Sequence, residues 1–479
     1  MAEIKALIPA AGKGTRAYPY TRNIPKGMLK VSGIPLLEYT VTLLRDQLGV
    51  QTIFIVVNEL GQVIRQHFNN GEQFGVHIEY IQNEAVHRGL AYSVFLARDH
   101  IQDPFILVLS DEYYQDTNHA QLLAQPLDGA LGICGLYKTQ DKDSIRRNYT
   151  VHLKNGHINR LIEKPRKIEG ELLGTGTLLL SPMVFDLLES AFAQKKPSPV
   201  FIEVLDQAAQ EGQFFRPFFL EGQYVNINNV DSLNWANFLS KSKRLPQTSL
   251  SVVVQAFGNE EGLSRLVTEF NNQERVDEVL VVVPYGLAEP AWIQALSKVR
   301  WLPCSLGKEE YGSMIAFGLE QAKGELITIT EGYYSFYPTD LTKLLAYISD
   351  ADLVLGTRTT RQLIHQGSRM RGPVRLAHIF LAKLVELCWI THRVRLTDVG
   401  CTYRILWRHC YLEIKDRLRS TGPEYVLEMT IETLRSRQRL IEVPVSFLHT
   451  NEVLAERHQR VGIFLRMVWT IIRHRLRLV

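Results

Sequence analysis

The sequence predicts an α/β protein made of two doubly wound parallel sheets in tandem. Three observations point there: wholly apolar runs alternate with helix-like segments, the alternation restarts midway, and 479 residues exceed one ordinary core.

The first set of runs is IKALIPAAG, TIFIVVN, FILVLSDE and GALGICGLY, with segments such as PLLEYTVTLLRDQLG between them. Short continuous apolar runs suit strands covered on both faces. The second set starts at LSVVVQAFG and continues through EVLVVVPYG, ELITITEGYY and ADLVLGTR. Between the sets lies SKSKRLPQTS, residues 240–249, polar and basic with one proline, the composition of an exposed connection. The expected division is a first domain over 1–240, a linker over 241–249 and a second domain over 250–479. Each half opens with a strand entering a glycine-containing turn. Each later carries a strand ending near an acidic residue, Asp111 or Glu331.

Composition narrows the function. The chain has 54 Lys and Arg against 50 Asp and Glu, a net charge of +4, which disfavours a nucleic-acid partner bound through bulk basicity. Five scattered cysteines form no C-x-x-C pair, so neither a disulfide framework nor a zinc knuckle is expected, and a cytoplasmic setting suits them. MAEIKALIPAAG enters a strand pattern without a leader, and no apolar run reaches the ~18–20 residues of a membrane-spanning helix.

Local charge is more telling. From Ile4 to Leu37 the chain carries Lys5, Lys13, Arg16, Arg22, Lys26 and Lys30 and no acidic residue. A solvated basic loop would explain neither Gly12 and Gly14 nor their place after a buried strand. A dinucleotide fingerprint, Gly12 to Ala17, needs a helix to start at the glycines, and Pro19 and Pro25 interrupt one. A triphosphate cradle fits better. Gly12 and Gly14 let backbone amides approach phosphate oxygens, Arg16 supplies a forked donor, and Lys26 adds a point charge.

Here the sequence resembles the sugar-phosphate nucleotidylyltransferases, among them the glucose-1-phosphate thymidylyltransferases. Their signature of G-x-G-T-R, P-x-T and P-K matches Gly12 to Arg16, Pro19-Tyr20-Thr21 and Pro25-Lys26. The resemblance implies a nucleotide-diphospho-sugar transferase-like fold of the GT-A type and assigns roles. Arg16 and Lys26 would be catalytic, stabilising charge moving onto pyrophosphate. Gly12, Gly14, Thr15, Gln82 and Gly89 would bind the nucleotide, with QNEAVHRGLAYSV as the nucleobase segment. Glu163, Lys164 and Gly176, in RLIEKP and GTGTLLLSPMVF, would bind the sugar phosphate. Asp111 and Asn226 would hold Mg2+. The family usually has Gly-Asp at the metal strand and a second aspartate near the domain's end. This chain has Ser110-Asp111 and Asn226, an amide that brings oxygen but no charge.

The second half is similar to family-two glycosyltransferases, in particular the polyprenyl-phosphate sugar synthases, through SVVVQAFGNEEGL, LVLGTR, RLTDVGCTYRIL and EMTIETLRSRQRLIEVPVSF. Where that family has Asp-Asp and Asp-x-Asp, this chain has Pro284-Tyr285 and Glu331-Gly332-Tyr333. A scaffold that lost catalysis and a working transferase both stay open. Arg358, Asp398 and Arg404 match family positions and are candidates for binding a phosphate-bearing ligand, and Glu331, standing where the family has Asp-x-Asp, is the remaining candidate of this half.

VGIFLRMVWTIIRHRLRLV reads as an amphipathic basic helix, with Arg466, Thr470, Arg473 and Arg477 on one side and Ile463, Phe464, Met467, Val468, Ile471 and Ile472 on the other. Two readings compete: a helix docked on its own domain with arginines in water, or a peripheral anchor at the inner membrane face, touching anionic headgroups or a lipid phosphate. The expected whole is a magnesium-dependent enzyme that takes a nucleoside triphosphate and a sugar-1-phosphate, joined to a glycosyltransferase-like domain for a linked glycan pathway. The competing class is a nucleotide-sugar sensor without turnover.

Overall fold

The structure is a computed structural model that describes residues 4–12, 14–18, 20–194, 198–258, 260–305, 310–360, 372–392, 394–448 and 457–476. The side chain of Arg16, and Lys13, Pro19 and Arg477, lie outside the described residues. The chain divides into two compact units, Met1–Ala236 and Asn237–Val479.

The strands of the first unit are β1 (Lys5–Pro9), β2 (Lys30–Val31), β3 (Ile34–Pro35), β4 (Thr52–Val57), β5 (His77–Gln82), β6 (Phe105–Leu107), β7 (Glu112–Gln115), β8 (Gly132–Lys138), β9 (Tyr149–Lys154), β10 (His157–Glu163), β11 (Leu172–Leu180), β12 (Phe215–Leu220) and β13 (Gln223–Asn226). The main sheet has the order β5-β4-β1-β6-β11-β8-β12-β10-β9. Its sequence-predicted parallel character holds for β5, β4, β1 and β6 and again between β8 and β12, but β11 runs antiparallel to both β6 and β8. The difference has a local cause at β9 and β10. Asn155 and Gly156 both have positive φ, 53° and 79°, the two-residue turn that folds one strand straight back on the next. Parallel neighbours instead need a long crossover.

The second unit contains β14 (Leu250–Gln255), β15 (Glu278–Pro284), β16 (Val299–Cys304), β17 (Leu326–Glu331), β18 (Leu353–Thr357), β19 (Arg404–Trp407) and β20 (Leu440–Pro444). Its sheet is ordered β16-β15-β14-β17-β19-β18-β20, with β19 antiparallel to both neighbours and every other pairing parallel. The first sheet has the same order and the same strand senses over β5-β4-β1-β6-β11-β8-β12. In both units the third, second, first and fourth parallel strands are followed by one reversed strand.

Each sheet is covered on both faces. Along β1, Leu7 enters one core while Ala6 and Ile8 enter the other, and along β14 Val253 faces away from Val252 and Val254. Full burial of these strands is why they read as unbroken apolar runs. Segment 241–249 differs from the exposed connection expected of it. The helix Val230–Arg244 runs through its first residues, and Lys241 is buried with its ammonium on Asp352 Oδ1 at 2.5 Å and the Ala351 carbonyl at 3.0 Å. A buried lysine is stable when its charge is matched this way.

Candidate active site

β1 and β6 are adjacent and parallel, so their carboxyl ends lie side by side, where ligands settle in open α/β sheets. The residues after β1, the Leu109–Asp111 stretch after β6, and Lys26 wall a cleft of about 380 Å³, together with Gly89, Leu90 and Ser93. The Ser110 hydroxyl donates to the Pro9 carbonyl at 3.1 Å and ties the two segments together.

Gly14 turns the loop with φ 62°, and its carbonyl accepts from the Thr21 hydroxyl at 2.7 Å. A Cβ there would stand 3.2–3.3 Å from Thr21 and Lys26, so the left-handed glycine lets the loop close on Lys26. A Cβ on Gly12 would meet nothing within 4 Å. Thr15 also lines the cleft.

Lys26 and Asp111, 85 residues apart, form a direct ion pair between Nζ and Oδ2, and Lys26 also donates to Asn228 Oδ1 at 3.3 Å. The two side chains are 12% and 23% exposed. The pair therefore sits on the cavity wall, open to a ligand. A second cavity of about 200 Å³ shares Leu90, Leu109 and Asp111 with the first and is lined by Glu163, Lys164, Gly176, Asn226 and Arg147. The chain thus brings its nucleotide-type and sugar-phosphate-type residues to two cavities meeting at Asp111. Gln82 is different. It ends β5 on the surface, lines neither cavity and accepts a 3.4 Å hydrogen bond from Arg65.

Glu163 and Lys164 pair with each other at 3.2 Å, and the Lys164 side chain is largely exposed. Gly176, expected against a sugar ring, also has a closer neighbour. Its amide donates to both oxygens of Glu112, at 2.9 and 2.8 Å, and a Cβ would fall 2.6 Å from Glu112 Oε2 and 2.5 Å from Leu109. Glu112 is buried and also accepts from the hydroxyls of Tyr114 and Tyr224. Burial, with Asp111 beside it, pushes its carboxyl up to about 7 against these hydrogen bonds. Sequence reasoning passed over Glu112, Asn228 and Arg147. The signal for Glu112 was its place directly after Asp111 and before two tyrosines.

Asn226 pairs across β13 and β7 with Glu112, and its Nδ2 donates to Asn148 Oδ1 at 2.7 Å. Its Oδ1 is buried without a hydrogen-bond partner among the described residues. An orphaned amide oxygen in the same cavity as the Asp111 carboxylate fits a hard cation, which takes oxygen ligands and can complete its shell with phosphate and water. Among the described residues no group of three or more His, Cys, Asp or Glu forms a cation site.

In the second unit Glu331 ends β17 and accepts from the hydroxyls of Tyr311 and Thr402 at 2.9 and 2.7 Å. The other three candidates are consumed by the fold rather than offered to a ligand. Arg358 grips Asp398 through two bonds of 2.7 and 2.9 Å, with His378 adding a third partner at 3.1 Å. Burial opposes ionisation of Asp398, but Arg358 and His378 hold its carboxyl far below the usual range. Arg404 is fully buried and donates to the carbonyls of Cys401 and Val426. Burial lowers its guanidinium to about 10.

The profile of the nucleotidyl transferase family matches residues 5–241. The first half of the chain is a nucleotidyl transferase domain. This domain is similar to the UTP–glucose-1-phosphate uridylyltransferase AglF of Haloferax volcanii, 29% identical over 226 residues, covering 47% of this chain and 91% of that protein. It is also similar to the bifunctional protein GlmU of Methanococcus aeolicus, 31% identical over 234 residues, 48% of this chain and 53% of that one. The chain thus spans about half the length of the latter relative. A solved structure of a chain described as a glucose-1-phosphate thymidylyltransferase from Bacillus anthracis is 21% identical, with a TM-score of 0.46, over 50% of this chain and 95% of that one.

Proposed function

We infer that the nucleotidyl transferase domain joins a nucleoside triphosphate to a sugar-1-phosphate, with UTP the first nucleotide to test because relatives such as AglF carry it in their names. The observation that carries this reading is the Lys26–Asp111 pair standing where two cavities meet. A polyphosphate fits the first cavity, with its glycine-backed loop and Lys26. A sugar phosphate fits the second, with Lys164 and Arg147 as cations and Glu163 as a hydroxyl acceptor.

An oxygen of the sugar-1-phosphate attacks the α-phosphorus, a new oxygen–phosphorus bond forms, the α–β bridging bond breaks, and pyrophosphate leaves with the electron pair. The protein aligns the two phosphates and neutralises charge; no covalent intermediate is needed. Lys26 exchanges its bond to Asp111 for the phosphates, and Arg16 adds a second cation from the same loop. Asp111 and Asn226 would hold Mg2+, which supplies charge neutralisation at the phosphate oxygens. The glycines Gly12 and Gly14 admit the phosphates to the backbone amides.

The second half reads best as a glycosyltransferase-like GT-A scaffold without transfer activity. The reading is supported by the closed Arg358–Asp398 pair and the buried Arg404, which leave their charges committed to protein atoms. Sugar release from a nucleotide sugar that depends on a lipid phosphate would overturn it. For the first half the test is pyrophosphate release across nucleoside triphosphates and sugar-1-phosphates. Release requiring both substrates and Mg2+ is expected; tight nucleotide binding without release would favour a sensor.

A further inference from the structure

The C-terminal helix Arg457–Leu476 buries most of the apolar side its periodicity predicts, Met467 and Ile471 in the core with Ile463, Phe464 and Val468 against it, but part of its polar side is buried as well. Thr470 and His474 are buried and Arg473 is turned inward, where His474 bonds Glu428 and Glu432 at 2.9 Å each and Arg473 reaches Glu428 at 3.0 Å. Glu428 and Glu432 belong to the wholly buried face of the helix Tyr425–Arg435, and buried carboxylates require such partners. Their demand draws Arg473 and His474 inward beside Met467 and Ile471. Leu465, Trp469 and Leu476 point outward, each more than half exposed.

The neighbouring helix Gly372–Cys388 buries Leu381, Ala382 and Val385 and likewise leaves apolar residues in solvent. It packs on the C-terminal helix, with the Phe380 and Phe464 rings 6.1 Å apart, and carries Leu376, Phe380 and Leu387 outward, each more than half exposed. Their spacing of four and seven residues puts all three on one side. Two touching helices that each bury one apolar side and leave a second apolar stripe in solvent make a surface that water alone does not explain. Arg475 stands exposed on the same surface, as do Arg466 and Lys383, which pair with Glu424 at 3.5 Å and Glu386 at 2.7 Å, and the sequence from 457 to 476 contains no Asp or Glu.

We propose that this two-helix face seats the second unit on an anionic lipid surface, with Leu465, Trp469, Phe380 and their neighbours in the acyl boundary and the exposed cations among the headgroups. Charge decides against a second copy of the chain as occupant, because a two-fold contact would bring the same cations against each other. The face lies on the membrane and does not cross it: among the described residues no helix is long and apolar enough to span one. The proposal stands apart from the chemistry of the first half.

Flotation of the full chain with phosphatidylcholine–phosphatidylglycerol vesicles, against phosphatidylcholine alone, tests it. The parent is expected to float with the anionic vesicles only. The double variant Leu465→Ser/Trp469→Ser should lose at least about tenfold in partitioning. Arg466→Gln/Arg475→Gln should lose several-fold and become insensitive to lipid charge. Near-ultraviolet circular dichroism checks that each variant is folded, and the arginine variant decides should the apolar one fail that check. A parent that stays off anionic vesicles, variants that float like the parent, or a parent dimer that the Leu465→Ser/Trp469→Ser change dissociates in the absence of lipid binding would overturn the proposal.

Discussion

The two sheets share strand order and strand senses, yet what stands past the fourth parallel strand differs. After β6 the first unit has Asp111, paired with a lysine on a cavity wall. At the end of β17 the second has Glu331, held by two hydroxyls, while its Arg358–Asp398 pair is sealed at 9% and 0% exposure. The contrast separates two uses of charge. An ion pair open to a cavity can trade its partner for a phosphate, whereas a buried bidentate pair with further hydrogen bonds stabilises only the fold in which it is formed.

Breaking the sealed pair gives the largest expected effect on stability. Arg358→Met leaves the Asp398 carboxylate buried with His378 and backbone amides, and should cost about 3–5 kcal/mol of unfolding free energy in the second unit. Pyrophosphate release by the first unit should persist in the same protein. A loss of activity with unchanged stability would reverse the roles assigned to the two pairs.

The buried histidines sharpen the comparison with opposite pH responses. Burial lowers His119, set among Tyr114, Thr117 and Thr177, to about 4. Below its unfolded value near 6.5 the unfolded chain binds the extra proton, so this contribution to stability falls as pH drops from about 6.5 to about 4, by about 3 kcal/mol. Urea titrations of His119→Gln should lose that part of the slope. His474 is the reverse case. Burial lowers it, but Glu428 and Glu432 raise it further, with Arg435 and Arg473 also facing the ring. Its contribution is complete below about 6.5 and is lost as pH rises through the raised folded value. Tryptophan fluorescence of His474→Gln against parent during urea unfolding, above pH 6.5, reads this change.

A smaller effect is expected at the residues proposed to hold the cation. Asn226→Asp supplies the second carboxylate and should lower the half-saturating Mg2+ by about tenfold, with the Asn148 amide reversed to donate to it. No change in the Mg2+ requirement would remove Asn226 from the ligand set.

Much of this was legible because fully covered strands leave apolar runs and because a phosphate cradle needs glycines and cations free of carboxylates. That pattern singled out Gly14 and Lys26, and the fold places both on one cleft. What escaped was set by contacts distant in sequence. The antiparallel strand β11 has an apolar run like its neighbours, so nothing in its pattern marks direction. Arg358 and Arg404 carry the residue types of phosphate ligands, but only the fold reveals that Asp398 and main-chain carbonyls have already taken them. The C-terminal helix packs the apolar side its periodicity shows, but Arg473 and His474 turn inward as well because two buried glutamates on another helix bind them.

The central claim is that Lys26, opposite Asp111, stabilises the charge that moves onto pyrophosphate. Its most direct test is the turnover of a folded Lys26→Ala protein in pyrophosphate release with UTP and a sugar-1-phosphate. Loss of one such preorganised cation predicts a barrier higher by about 3–4 kcal/mol, a fall in turnover of roughly a hundred- to a thousandfold. Turnover within a few-fold of the parent would contradict the account.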